Sequence, residues 1–168
     1  MNLVLCGMMG SGKTTVSLAL SKRLGWERVD TDECIASRYG KITDIFEKQG
    51  EGYFRVLETK ICAELAQKDC LVISTGGGLV LKKENVELLK RKGTIVYLRA
   101  SIPTLVKRLS ADENRPLLQG GDLEERLTSL LKARSPIYEE VSAFFVDVDD
   151  KTPEELAEEI IGHVRDEK

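Results

Sequence analysis

The sequence predicts a single α/β domain, a five-stranded parallel sheet flanked by helices, and three observations predict it. Short apolar runs rich in β-branched residues alternate with longer segments of helical period, the order expected when a crossover helix links each strand to the next. Several of these runs lack polar alternation, as strands covered on both faces do. The first run ends in a glycine-rich turn, Gly7 to Thr14, that leads straight into a helical segment. In that arrangement backbone amides can gather around phosphate.

The elements follow in chain order. Leu3 to Cys6 reads as a strand, and Thr15 to Leu24 as a helix carrying Val16, Leu18, Ala19, Leu20 and Leu24. Arg28 to Asp30 is a shorter strand. Tyr53 to Ala66 places Phe54, Leu57, Ile61, Cys62 and Leu65 at three- and four-residue intervals, one face of a helix. Leu71 to Ser74, Ile95 to Leu98 and Ala143 to Val148 are the remaining strands. Between the last two, Ser110 to Asp122 is polar and holds Pro116, Gly120 and Gly121. A loop of that length in a compact domain is usually functional, so a mobile lid is expected at about 110–122, hinged at the two glycines. Asp122 with Glu125 reads as the cap restarting a helix. Thr152-Pro153-Glu154-Glu155 signposts the last helix: N-cap threonine, proline at the first helical position, glutamate at the third.

At 168 residues the chain can bury a core as one domain without staples. A net charge of −3 gives no basic surface that advertises nucleic acid or acidic lipid, so neither partner is expected. Cys6, Cys34, Cys62 and Cys70 form no CxxC pair and His163 is the only histidine, which leaves almost no ligand set for zinc. Reduced, buried thiols are expected instead of disulfides. Met1 to Cys6 lacks a basic n-region, and no apolar stretch approaches the roughly 20 residues needed to cross a bilayer. A cytoplasmic monomer is expected.

Gly7-Met8-Met9-Gly10-Ser11-Gly12-Lys13-Thr14 matches GxxxxGK[ST] at every fixed position. Glycines let the loop turn with positive φ and bring successive N–H groups onto phosphate oxygens, and the helix N-terminus adds partial positive charge. Lys13 can reach the β- and γ-phosphates of ATP, the Thr14 hydroxyl can ligate Mg²⁺, and Thr15 continues the nucleotide contact. The strand Leu71 to Ser74 runs into Thr75 and Gly76-Gly77-Gly78 rather than an aspartate, so a carboxylate for the magnesium shell must come from elsewhere. No NKxD sequence occurs, which disfavours a guanine-specific switch.

Asp30-Thr31-Asp32 closes the second strand, at the sheet edge where ligands collect. One carboxylate could hold magnesium through water and the other accept a hydrogen bond from an acceptor hydroxyl; a plain helix N-cap is the alternative. Arg55 and Glu58 share a helix face at i and i+3. On a surface that pair would be worth only ~0.3 kcal/mol.

Taken together, these segments resemble the shikimate kinase family over essentially the whole chain. The resemblance rests on the phosphate loop, Asp30-Thr31-Asp32, GExxFRxxE from Gly50 to Glu58, Gly76-Gly77-Gly78, Arg115-Pro116-Leu117-Leu118, and the spacing from Arg134 to Tyr138. It implies ATP and Mg²⁺ as cofactors and an acceptor region at about 30–60. It also implies that Asp32 binds the reacting hydroxyl as base, that Asp30 contacts magnesium through water, and that Arg55 and Arg134 grip the shikimate carboxylate. Glu58 would orient Arg55, Gly76 to Gly78 would let backbone approach the acceptor, Arg115 would be the lid arginine, and Arg108 and Pro153 would lie near the adenine. Ser142, where the family often has alanine, is a small departure without chemical consequence. A guanidinium fork suits a planar carboxylate, and catalysis by Lys13, Asp32 and Arg115 would be positioning and charge stabilisation around a loose transition state. The rivals are a small kinase acting on gluconate or a nucleoside monophosphate, and an inert nucleotide-binding module.

Overall fold

The computed structural model describes residues 1–111 and 122–166. Five strands, β1 (Asn2–Cys6), β2 (Glu27–Asp30), β3 (Leu71–Ser74), β4 (Gly93–Arg99) and β5 (Phe144–Asp147), form one all-parallel sheet in the order β2-β3-β1-β4-β5. β1, β3 and most of β4 are buried, which is why those segments read as continuous apolar runs. Between the strands lie α1 (Lys13–Leu24), α2 (Thr31–Tyr39), α3 (Ile42–Leu65), α4 (Lys83–Lys90), α5 (Ile102–Ser110), α6 (Leu123–Val141) and α7 (Pro153–Asp166). α1 packs on α7, α3 on α2 and α4, and α5 on α6.

The predicted strands all form, within two residues at each end. The helices differ more. α3 begins eleven residues before Tyr53 because Gly50, at φ 82° and ψ 168°, links two helical pieces through a conformation that L side chains avoid. α2, α4 and α5 have no counterpart in the sequence reading; they run only eight or nine residues, too short for a clear periodicity. α7 has the capping box its sequence announces: Thr152 N donates to Glu155 Oε2 at 2.7 Å and Glu155 N to Thr152 Oγ1 at 3.2 Å. Asp122 caps α6 by accepting from Glu124 N.

All four cysteines are free. Cys6 and Cys62 are buried as expected, and burial raises both thiols to about 12. Cys70 departs from the expectation: it is exposed, at φ 58° in the turn before β3. His163 is exposed and stacks on Phe144 at 4.7 Å. No helix among the described residues is long and apolar enough to cross a membrane.

Register fixes where chemistry can gather. Asp30 pairs with Ser74, and Leu5 pairs with both Ser74 and Val96. The C-terminal ends of β2, β3 and β1 therefore lie side by side, and the three loops that leave them, Asp30-Thr31-Asp32, Gly76-Gly77-Gly78 and the phosphate loop, share one edge of the sheet.

Candidate active site

The phosphate loop is built by its glycines. Gly10 and Gly12 take φ of 81° and 93°, which turns the chain sharply into α1. Lys13 Nζ donates to the Gly7 and Met8 carbonyls at 2.8 and 2.9 Å, so its amine lies across the loop. Thr14 and Thr15 are exposed in the first turn of α1. Arg108, from α5, donates to the Gly10 carbonyl at 3.2 Å and so touches the loop backbone directly. Pro153 opens α7, which packs on α1.

Beside this loop three charged side chains gather around the glycine triplet. A Cβ on Gly76 would lie 2.8 Å from Asp32 Oδ1, one on Gly77 would lie 3.3 Å from Arg134 Nη1, and one on Gly78 would lie 2.6 Å from Arg55 Nη2. Three residues from three different helices thus meet three consecutive glycines, and a Cβ at Gly76 or Gly78 would force the facing side chain to shift. The Gly77 position is also 3.6 Å from the Gly7 carbonyl oxygen, which puts the triplet against the phosphate loop.

Buried anchors hold this arrangement. Thr31 Oγ1 accepts from Gly76 N at 3.1 Å, and Tyr138 Oη donates to the Gly77 carbonyl at 2.6 Å. Thr75 donates through both its N and its Oγ1 to the Leu5 carbonyl. Burial lifts the Tyr138 phenol to about 12 against the opposing charge of Arg134, so Tyr138 remains a donor. Neither Thr31 nor Tyr138 stood out in sequence as an anchor; the Arg134-to-Tyr138 spacing was the available signal, since i and i+4 share a helix face.

The pair Arg55–Glu58 is not a surface ion pair. Arg55 Nη1 donates to Glu58 Oε2 at 2.7 Å, and the Glu58 side chain is only 1% exposed. Burial raises the Glu58 carboxyl above its ordinary range, opposed by the Arg55 bond and charge and reinforced by Asp32 and Glu51. Burial pulls Arg55 down, but the hydrogen bonds and charges of Glu58 and Glu51 outweigh it and leave the guanidinium above its usual value. Glu51, at 3.1 Å from Arg55 Nη2, is a second partner; it is a fixed position of the GExxFRxxE pattern, but the sequence assigned it no role. Arg134 is half-buried and, among the described residues, has no carboxylate partner. A cation so placed favours an anionic ligand.

Asp30 does cap a helix, as the alternative reading allowed. Its Oδ1 accepts from Asp32 N and Glu33 N at 3.0 and 3.1 Å. No group of three or more His, Cys, Asp or Glu able to hold a metal occurs among the described residues. A hydroxyl on Thr14 and one carboxylate on Asp30 suit Mg²⁺ held largely by phosphate and water. Arg115 and the segment Arg115 to Leu118, with Gly120, Gly121 and most of the expected lid, lie outside the described residues.

A family model described as shikimate kinase matches residues 9–165. The chain is 46% identical over 161 residues to a shikimate kinase of Thermodesulfovibrio yellowstonii, covering 95% of this chain and 92% of that one. It is 44% identical over 162 residues to a shikimate kinase of Caldicellulosiruptor bescii, covering 96% and 94%. Among solved structures it is similar to the shikimate kinase of Acinetobacter baumannii in complex with shikimate, with a TM-score of 0.93, 40% identity, and coverage of 99% and 94%.

Proposed function

This chain belongs to the shikimate kinase family, and we propose that Asp32, Arg55 and Arg134 form the acceptor half of its active site. The enzyme is an ATP-dependent kinase that phosphorylates the 3-hydroxyl of shikimate, giving shikimate 3-phosphate and ADP, a step toward chorismate and the aromatic amino acids. One observation carries the residue assignment: the three side chains converge on Gly76, Gly77 and Gly78, one against each glycine.

The two guanidiniums offer planar donor forks to the single carboxylate of shikimate. Arg55 is held by buried Glu58 and by Glu51, so its orientation is set before substrate arrives. Asp32 accepts the 3-hydroxyl hydrogen bond and takes the proton as the new P–O bond forms. Gly7 to Thr15 hold the triphosphate through main-chain amides and the Lys13 amine, and Arg108, bonded to the Gly10 carbonyl, lies with Pro153 near the adenine. Thr14 and, through water, Asp30 would hold Mg²⁺, which would supply charge neutralisation at the β- and γ-phosphates. Arg115 adds to that charge stabilisation. The chain works as one domain, as a cytoplasmic monomer.

The test is ADP release in a coupled assay with shikimate, quinate, gluconate and nucleoside monophosphates offered in turn. Release that depends on shikimate is expected. Turnover of another acceptor in preference to shikimate, or nucleotide binding with no turnover at all, would overturn the acceptor assignment.

A further inference from the structure

We infer that Arg28 is a positioning residue that ties the acceptor half of the site to the phosphate half. This rests on the reading of Asp32 as the group facing the acceptor hydroxyl and of the phosphate loop as the ATP cradle. Arg28 lies in β2, the edge strand, yet its side chain is only 17% exposed. All its donor nitrogens have partners. Nε donates to Ser17 Oγ at 3.0 Å, Nη1 and Nη2 fork onto Glu33 at 3.1 and 3.2 Å, and Nη2 reaches Asp30 Oδ2 at 3.5 Å.

Each partner belongs to one half of the site. Ser17 is fully buried in α1, and its Oγ passes the connection on by donating to the Thr14 carbonyl at 2.7 Å. Thr14 follows Lys13 in the first turn of that helix. On the other side, Asp30 and Glu33 flank Asp32. The Asp30 carboxylate receives the Asp32 amide, and Glu33 is the next residue of α2. The guanidinium therefore spans from Ser17 in the second turn of the phosphate-loop helix, whose hydroxyl reaches back to Thr14 in the first turn, to the first turn of the helix that carries Asp32. Both helices leave C-terminal or near-edge loops of the sheet, and β2 and β1 are not neighbours, since β3 lies between them. Strand pairing alone couples them only through β3, whereas Arg28 braces them directly. Its planar, multiply bonded fork fixes a spacing that a single-point contact would leave loose.

Phosphoryl transfer depends on the relative placement of donor and acceptor, and a misplacement of about 1 Å can cost up to ~10²-fold. A brace between the halves should then act on turnover more than on the binding of either substrate. In steady-state kinetics, Arg28→Met is expected to lower kcat by about 10-fold while the KM values for shikimate and ATP stay within about twofold. Ser17→Ala, which cuts the arm to α1 alone, should lower kcat in the same direction. The Arg28→Met/Ser17→Ala double variant should be no worse than Arg28→Met by more than about twofold, because both act through one connection. Arg28→Lys should recover part of the loss, and Arg23→Met, an exposed arginine of α1 paired with Glu158, should leave kcat unchanged. Each variant is assayed well below its own melting temperature, so that loss of folded protein does not pass for loss of turnover.

The inference is overturned if Arg28→Met retains wild-type kcat, if its only effect is a raised KM, or if the double variant is worse than Arg28→Met by more than about twofold. A wild-type chain that released no ADP with shikimate would sink the site reading and this inference together. Wild-type turnover with an indifferent Arg28→Met sinks the inference alone.

Discussion

Gly78→Ala isolates the contact between the glycine triplet and Arg55, the arginine proposed to face the acceptor carboxylate. Gly78 sits at φ −95° and ψ −6°, a conformation alanine adopts without strain, so the substitution adds a methyl group and little else. That methyl would lie 2.6 and 2.7 Å from the two terminal nitrogens of Arg55. Relief to an ordinary contact near 3.4 Å demands a shift of about 0.8 Å. The guanidinium cannot retreat freely, because it is bonded to buried Glu58 at 2.7 Å and the helix behind it is packed. Displacing it weakens one charge-assisted hydrogen bond to substrate, worth about 1.5–3 kcal/mol. The KM for shikimate should therefore rise by about 10- to 100-fold, while the KM for ATP stays near wild type. Coupled ADP release at saturating ATP across a shikimate series measures this, with thermal unfolding to verify the fold. Gly162→Ala in α7 is the control: a Cβ there meets nothing within 4 Å, so kinetics should not move. A Gly78→Ala enzyme whose KM for shikimate stays within twofold of wild type would refute the placement of Arg55 at the acceptor carboxylate.

Three further outcomes are expected. Asp32→Asn should lower kcat by ~10²-fold or more with ADP affinity by calorimetry unchanged; near-normal turnover removes Asp32 from the proton transfer. Burial favours the neutral form of Glu58 in the folded chain, so its contribution to stability is greatest below the ordinary value of 4.5 and declines as pH rises through the raised folded value. Glu58→Gln cannot ionise, so urea unfolding of both proteins from about pH 4 to about pH 8 should show the wild type losing stability relative to the variant; parallel profiles would contradict this. Thr152→Ala removes one arm of the α7 capping box and should cost about 1 kcal/mol, a fall of about 2–4 °C in Tm, with kcat unaltered.

Much of the candidate site was legible because its residues fall in short local patterns. The glycine, lysine and threonine of the phosphate loop occupy fixed offsets, since a strand–turn–helix admits few ways to present amides to phosphate. The same holds for the capping box at Thr152 and for the i, i+3 relation of Arg55 and Glu58. The strands were legible because burial on both faces leaves unbroken apolar runs such as Leu71 to Ser74. The short helices α2, α4 and α5 were not, because two turns of helix give too few apolar positions to establish a period and their stability comes from packing.

The residue types and their local order thus decided the nucleotide loop, the parallel α/β layering and the set of charged candidates. Only the tertiary structure decided that Asp32, Arg55 and Arg134 each press on a different glycine of one triplet. It also decided that Glu58 is buried rather than exposed, and that Arg28 spans from Ser17 to Asp30 and Glu33. These relations join residues far apart in the chain, through the order in which β2, β3 and β1 lie side by side. Strand order and the packing of helices across the sheet are global solutions to burying apolar surface, and no window of sequence contains them.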